Sequence, residues 1–144
     1  MSTYVDTSAL VKRYVHEPTS QAFDDFVASC DDEFVLSPLT LAELQSVLMR
    51  RLRQRDFDRI YLKRLRGLFD GDLRAALWSV QPFPIAAFAE ATRLVEQLDT
   101  ALATLDALHV ASAQLLGCTQ FATADRKQAR AAERCGLSIH DFSS

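Results

Sequence analysis

Residues 4–14 read YVDTSALVKRY, and this stretch decides the expected fold. It opens on apolar residues typical of a short buried strand, and Asp6 follows them at once. Over 8–17 the apolar residues then recur at helical spacing. A buried strand that passes directly into a helix favours an α/β fold with a parallel sheet.

Strand-like and helix-like segments alternate along the rest of the chain. Further strands are expected at 33–37, 80–85, 119–123 and 137–142, and further helices at 20–30, 37–52, 57–78, 86–99, 105–117 and 125–136. Right-handed crossovers between such strands make the sheet mostly parallel and cover both of its faces. The sequence therefore predicts a central sheet of about four to five strands in a single domain, residues 1–144.

Proline, serine and glycine refine the element boundaries. Ser37 and Pro38 suit the cap and the first turn of the third helix. Two prolines interrupt the 80–85 strand, which we therefore expect to be short or at an edge of the sheet. Gly117 is expected to end the helix that precedes it.

Composition narrows the class of protein. Apolar residues make up 49% of the chain and charged residues 24%, an ordinary globular mixture. No apolar run approaches the ~20 residues that span a bilayer, and the N-terminus lacks the pattern of a signal peptide. The three cysteines form no C-x-x-C pair, which argues against a disulfide framework or a zinc site. We expect a cytoplasmic protein that does not associate with membranes.

Charge is distributed unevenly. Residues 50–66, the basic segment, hold eight Lys or Arg and two Asp, so they carry +6 and the remainder carries −9 of the total −3. A concentrated basic segment in an acidic protein suggests contact with a polyanion, although a solvated helix face has the same pattern. The candidate nucleic-acid contacts are Arg50, Arg51, Arg53 and Arg55.

Four acids lie near strand ends and helix starts. Asp6 and Asp125 directly follow strands, Asp106 lies in the first turn of a helix, and Glu43 lies inside one. Each has an ordinary explanation, because the aspartates suit helix caps or the helix dipole, and Glu43 could form a capping box with Thr40. That explanation fits Glu43 least, since a helix opening at the preceding Ser-Pro pair places it in the second turn.

Taken together, the four acids favour a metal site. The carboxyl ends of parallel strands share one edge of a sheet, so Asp6 and Asp125 are expected to meet there, within reach of Asp106 and Glu43. Converging carboxylates repel one another and raise each other's pKa values. A bound cation removes this conflict, and a set of oxygen ligands without cysteine favours Mg²⁺ or Mn²⁺.

Four segments, in this order, resemble the signature segments of PIN-domain ribonucleases, above all the VapC toxins of bacterial VapBC toxin–antitoxin pairs. The segments are YVDTSALVKRY (4–14), LAELQSVLMRR (41–51), LDALHVASA (105–113) and FATADRKQARAA (121–132). The resemblance spans about residues 3–142. No single segment is specific, but the ordered set is. The chain has no further acid directly after Asp125, where some family members have one.

The resemblance implies a PIN-like three-layer α/β/α sandwich and a metal-dependent endoribonuclease. The family's acidic quartet falls on Asp6, Glu43, Asp106 and Asp125, and its small polar neighbours fall on Thr7, Ser8 and Thr123. Asp6 and Asp106 would bind a first Mg²⁺ or Mn²⁺, and the other two acids would complete this site or bridge to a second. The family further implies a homodimer, an RNA substrate and inhibition by a VapB-type antitoxin.

Other interpretations stay open. A non-catalytic PIN-like binding module, an RNA-processing nuclease or a DNA-directed nuclease would share this pattern. A haloacid-dehalogenase-like phosphatase also places an Asp after its first strand, but it needs a second Asp at position 8, which is Ser8 here. For His109 we expect a packed, hydrogen-bonded side chain rather than a substrate contact. For Trp78 and Phe83 we expect packing rather than base stacking.

Overall fold

The structure, a computed structural model, describes residues 1–98 and 101–144. Within these ranges the chain forms five strands and seven helices. They are β1 (Ser2–Val5), α1 (Thr7–Tyr14), α2 (Ser20–Ser29), β2 (Glu33–Leu36), α3 (Pro38–Arg53), α4 (Arg59–Arg74), β3 (Ser79–Val80), α5 (Ala87–Gln97), α6 (Thr104–Leu115), β4 (Gln120–Thr123), α7 (Arg126–Arg134) and β5 (Ser138–Asp141).

All five strands belong to one sheet with the order β3-β2-β1-β4-β5. Every neighbouring pair of strands is parallel. On β1, Tyr4 lies opposite Val35 of β2 and Phe121 of β4. The predicted parallel sheet of four to five strands is confirmed, and β1 lies at its centre.

Helices cover both faces of this sheet. Side chains of a strand alternate between faces, so Tyr4 and Val5 enter different cores. Val5 packs with residues of α1 to α4, and Tyr4 packs with residues of α5, α6 and α7. The predicted three-layer α/β/α sandwich is confirmed.

Two elements differ most in length from the sequence prediction. The helix expected over 57–78 begins only after Asp58, because the carboxylate of Asp58 accepts a hydrogen bond (2.8 Å) from the backbone N–H of Tyr61 and caps it. It ends at Arg74, shortly before Ala76, whose φ of 58° no helix accommodates. The strand expected over 80–85 is Ser79–Val80, at the edge of the sheet as predicted, and it ends before the prolines.

Ser37 does not cap α3 with its side chain. It occupies the capping position, but its hydroxyl lies 3.0 Å from that of Tyr4 instead. Gly117 ends α6 with a φ of 76°, as predicted. The helix expected over 86–99 is Ala87–Gln97, and Asp99 lies outside the described residues. Among the residues that the structure describes, no helix has the length and apolar character needed to cross a membrane.

Candidate active site

Adjacent strand ends bring Asp6 and Asp125 to one edge of the sheet. Asp6 follows β1 and Asp125 follows the neighbouring β4, and the backbone N–H of Asp6 donates to Ala122 O across the two strands (3.1 Å). A cavity of about 340 Å³ opens here. Its walls include Asp6, Glu43, Asp106 and Asp125, which we call the acidic cluster. The structure thus brings the four predicted acids together.

Asp6 is buried, and both oxygens of its carboxylate accept hydrogen bonds, Oδ2 only one of them among the described residues. Its side chain caps α1, since Oδ1 accepts from the backbone N–H of Ala9 (3.0 Å), and Ser8 Oγ donates to the same oxygen (2.8 Å). Oδ2 accepts from Thr123 Oγ1 (2.7 Å). Burial raises the pKa of Asp6, and the charge of His109 and these hydrogen bonds oppose that rise. Asp6 is therefore both a helix cap and a member of the acidic cluster.

Glu43 is held by a polar chain that begins in the core. Thr7 Oγ1 donates to its Oε1 (2.8 Å), and His109 Nε2 contacts the same oxygen. His109 is buried, and its Nδ1 lies 2.7 Å from the Tyr4 hydroxyl. Burial alone would raise the pKa of Glu43, but the hydrogen bond from His109, the charge of His109 and the hydrogen bond from Thr7 together outweigh it, so this pKa is lowered.

Asp125 caps α7, whereas the carboxylate of Asp106 accepts no hydrogen bond from the described residues. Oδ1 of Asp125 accepts from the backbone N–H groups of Lys127 (2.8 Å) and Gln128 (3.1 Å). The Gln128 side chain donates to the backbone carbonyl of Asp106 (3.3 Å), which ties α7 to α6. Within residues 1–98 and 101–144, no hydrogen bond reaches the Asp106 carboxylate. Burial first, then the charges of Asp125 and Asp6, raise the pKa of Asp106 to about 6.

The donor set suits a hard cation. Asp106 keeps both carboxylate oxygens free of partners in the described part of the chain, and Glu43 and Asp125 each keep one. Oxygen donors of this type are the ligands that Mg²⁺ and Mn²⁺ prefer. In the described ranges, however, no three His, Cys, Asp or Glu side chains are already arranged to hold one metal ion. The cavity gathers suitable ligands, and their side chains would have to turn to complete a coordination shell.

The four candidate arginines divide into two pairs. Arg50 and Arg51 line the same cavity as the acidic cluster. Arg51 pairs with Glu17 (2.8 Å), a contact that sequence patterns did not indicate. Arg53 and Arg55 line a different concavity. Only the first pair therefore lies beside the acids.

Comparison with known families assigns the fold. A family model described as "PIN domain" matches residues 3–134, which is most of the chain. The chain belongs to the PIN domain family. No curated protein shows significant sequence similarity to it.

Solved structures share this PIN domain fold at low sequence identity. VapC20 of Mycobacterium tuberculosis, described as a sarcin-ricin-loop-cleaving toxin, is 15% identical, with a TM-score of 0.68 over 90% of this chain and 94% of that one. VapBC2 of Rickettsia felis, solved on a DNA fragment from its promoter, is 15% identical, with a TM-score of 0.68 and 98% of each chain covered. FitAcB of Neisseria gonorrhoeae is 17% identical, with a TM-score of 0.66 and 97% of each chain covered.

Sequence patterns missed part of this PIN domain's cavity. His109 is packed and hydrogen-bonded as expected, yet one of its partners is Glu43, so it belongs to the cavity as well as to the core. Its position three residues after Asp106, on the same helix face, was the available signal. Lys12 and Glu17 also line the cavity, and no spacing marked them. Trp78 is buried, as expected.

Proposed function

We propose that this PIN domain is an endoribonuclease that depends on Mg²⁺ or Mn²⁺. The observation that carries the proposal is the acidic cluster at the carboxyl edge of the sheet, where Asp106 has its pKa raised to about 6 by burial and by Asp125 and Asp6. Carboxylates held close enough to disturb one another destabilise the ligand-free protein. A cation relieves this repulsion, and it can activate water for attack on a phosphodiester.

The proposed ligands of the cation are the four members of the cluster. Asp6 and Asp106 would hold the first ion, and Asp125 and Glu43 would complete its shell or bridge to a second. An ion held by these carboxylates would supply an activated water as the nucleophile and positive charge opposite the scissile phosphate. No side chain has to form a covalent intermediate.

The surrounding polar residues orient these carboxylates. Ser8 and Thr123 fix both oxygens of Asp6, and Ser8 Oγ also accepts from the backbone N–H of Ala124 (2.8 Å). Thr7 and His109 hold one oxygen of Glu43 and leave the other without a partner among the described residues. Such outer contacts fix the direction in which a ligand presents its lone pairs.

We further propose that the protein is the toxin of a type II toxin–antitoxin pair. Supporting this, several solved structures with the same fold are toxin–antitoxin complexes, including VapBC of Salmonella typhimurium and a complex from Klebsiella pneumoniae. The partners would be a VapB-type antitoxin, a second copy of the chain in a homodimer, and RNA. The proposed compartment is the cytoplasm.

The nuclease proposal is tested with the purified protein and single-stranded RNA. Cleavage is expected with Mg²⁺ or Mn²⁺ and is expected to stop in excess EDTA, because in the proposed mechanism the cation activates the water. Undiminished cleavage in EDTA would overturn the metal mechanism. A matched single-stranded DNA distinguishes the alternatives, since cleavage of DNA alone would indicate a DNA-directed nuclease and cleavage of neither a binding module.

The toxin proposal is tested by expression in bacteria. Expression without a partner is expected to arrest growth, and Asp106→Asn is expected to relieve the arrest, because Asp106 is a proposed ligand whose carboxylate forms no hydrogen bond in the described structure. Asp31→Asn, which removes a charge from an exposed position, serves as the control and should still arrest growth. Arrest by all three proteins would show that toxicity does not come from the cluster.

A further inference from the structure

Lys12 is a buried cation in the same cavity as the acidic cluster. Its side chain is only 9% exposed and lines the cavity from α1. In the described part of the chain its ammonium group donates no hydrogen bond, and its ion-pair partner Glu17 Oε1 lies 3.7 Å away, beyond hydrogen-bonding distance. Withdrawing an ammonium group from water is costly unless an anion approaches closely. Lys12 therefore retains unused capacity to bind an anion.

Glu17 lies between Lys12 and Arg51, but it forms a hydrogen bond only with Arg51. Its Oε2 accepts from Arg51 Nη2 at 2.8 Å. Its Oε1, which faces Lys12, is buried and has no hydrogen-bond donor among the described residues. Glu17 lies between α1 and α2, outside both helices. A single carboxylate thus bridges Lys12 and Arg51, and it fits the Lys12 side poorly.

We propose that Lys12 and Arg51 form a binding subsite for a phosphodiester group of RNA, and that Glu17 occupies this subsite when no RNA is bound. The inference rests on the proposed function, because it adds a site for a second backbone phosphate beside the acidic cluster. A phosphodiester carries the same charge as the Glu17 carboxylate. It presents one oxygen to Arg51 Nη2, while Arg51 Nη1 keeps its own ion pair with Asp56 (3.1 Å), and it presents another oxygen to Lys12.

Such a subsite offsets the repulsion between the acidic cluster and an RNA backbone. Four carboxylates repel an RNA backbone, and this repulsion acts at the point where one phosphate has to approach. Two cations in the same cavity attract a neighbouring phosphate and hold the strand in place. Glu17 keeps these cations paired while the cavity is empty, and it can turn toward solvent when a phosphate arrives.

The test measures binding rather than cleavage. Affinity for a fluorescein-labelled single-stranded RNA of about 12 nucleotides is measured by anisotropy in EDTA over a range of salt concentrations. The plot of log affinity against log salt has a negative slope. Lys12→Met and Arg51→Gln are each expected to make this slope less steep by about 0.7, the value for one lost phosphate contact on a single strand. Glu17→Gln is expected to tighten binding about two- to fivefold, because it removes the competing anion.

Matched controls separate a local subsite from net charge. Arg134→Gln and Glu133→Gln make the same charge changes at exposed positions at the far end of α7. The subsite is supported if these controls leave the salt slope and the affinity for RNA unchanged, whereas Lys12→Met and Arg51→Gln make the slope less steep and Glu17→Gln tightens binding. Further support is loss of the Glu17→Gln gain in the double variant with Lys12→Met.

Several outcomes overturn the subsite. They are slopes unchanged by Lys12→Met and Arg51→Gln, controls that shift as much as the cavity variants, and no RNA binding by the parent protein. Melting curves in EDTA identify a variant that fails to fold, in which case the remaining two variants decide. Parallel cleavage assays with Mg²⁺ distinguish the two proposals. Binding through the subsite without cleavage would refute the nuclease and support the subsite. Cleavage with salt slopes that the variants do not change would support the nuclease and refute the subsite.

Discussion

Asp106 is a half-buried carboxylate that lies in the same cavity as the three other acids of the cluster. Its carboxylate has no hydrogen-bond partner in the described structure, and burial together with the charges of Asp125 and Asp6 raises its pKa from 3.8 to about 6. A carboxyl group with a raised folded pKa contributes stability below its unfolded pKa and loses it as pH rises through the folded value. The protein without metal therefore carries a penalty at pH 7 that is absent at about pH 4.

We predict that Asp106→Asn stabilises the protein in EDTA at pH 7, because the neutral amide removes this penalty. The melting temperature should rise by about 2–4 °C for each kcal/mol relieved, and the gain should disappear near pH 4. Mn²⁺ should raise the melting temperature of the parent more than that of the variant, since a lost ligand weakens binding. Melting curves at both pH values, with EDTA and with Mn²⁺, measure these differences.

Asp31→Asn provides the control for charge alone, and it should show neither the gain in EDTA nor the smaller Mn²⁺ shift. A gain for Asp106→Asn that persists at pH 4 would contradict the origin of the effect in an ionised carboxylate. An Mn²⁺ shift equal to that of the parent would mean that Asp106 is not a ligand.

At the residue scale, the sequence indicated which acids belong to the site better than it indicated which side chains contact them. The cap and cluster interpretations of Asp6 competed in the sequence, and in the structure the side chain does both. The role of His109 was harder to predict, because its partner Tyr4 lies 105 residues away in the chain. Contacts across that separation depend on packing between layers, and local periodicity carries no information about them.

At the scale of elements, a partly buried polar cluster joins α4 to α1. Asp72 accepts from Arg13 Nε (2.8 Å) and from the Tyr14 hydroxyl (2.6 Å). Trp78 Nε1 donates to that hydroxyl (2.7 Å). Burial alone would raise the pKa of Asp72, but the hydrogen bonds from Arg13 and Tyr14 and the charge of Arg13 together outweigh it, so this pKa lies below the usual 3.8.

We predict that Asp72→Asn destabilises the protein by about 1–3 kcal/mol at pH 7, the cost of disrupting hydrogen bonds to a charged group. A lowered folded pKa contributes stability above the unfolded value and loses it as pH falls through the folded one. The difference from the parent should therefore shrink below about pH 3.8. Urea unfolding followed by the fluorescence of Trp78, the single tryptophan, reports on this cluster directly.

The matched control is Asp70→Asn, which makes the same change at an exposed position of the same helix. It is expected to alter the free energy of unfolding by less than about 0.5 kcal/mol. Equal destabilisation by both variants would assign the effect to the charge of α4 as a whole and not to the contact with α1.

The order of the elements was predictable because strand-like and helix-like segments alternate in the sequence. Their lengths were not, because they depend on caps and turns that hydrophobic periodicity does not show. The apolar spacing over 57–78 continues past both ends of α4, yet the Asp58 cap and the positive φ of Ala76 shorten it. Ser37 looked like a cap, but the Tyr4 hydroxyl from another strand takes its side chain. Competing partners from distant segments explain these differences.

At the scale of the whole molecule, charge is separated along α3. Glu43 lies near its start beside the other acids, whereas Arg53 lies ten residues later, about 15 Å along the helix axis. Arg53 and Arg55 line a concavity shared with Phe57, outside the cavity of the acidic cluster. If RNA follows the basic segment, these arginines contact a part of the strand remote from the cleavage point.

We therefore predict that the double variant Arg53→Gln/Arg55→Gln weakens the binding of long RNA and spares that of short RNA. With an oligonucleotide of about 16 nucleotides, the salt slope should fall by about 1.4, since each lost contact on a single strand contributes about 0.7. With about 4 nucleotides, which a site around the acidic cluster can hold, the slope should not change. The double variant Arg130→Gln/Arg134→Gln, at exposed positions of α7, removes the same two charges and controls for net charge. An unchanged slope with the long RNA would mean that this end of the basic segment is a solvated helix face or the surface for an acidic partner.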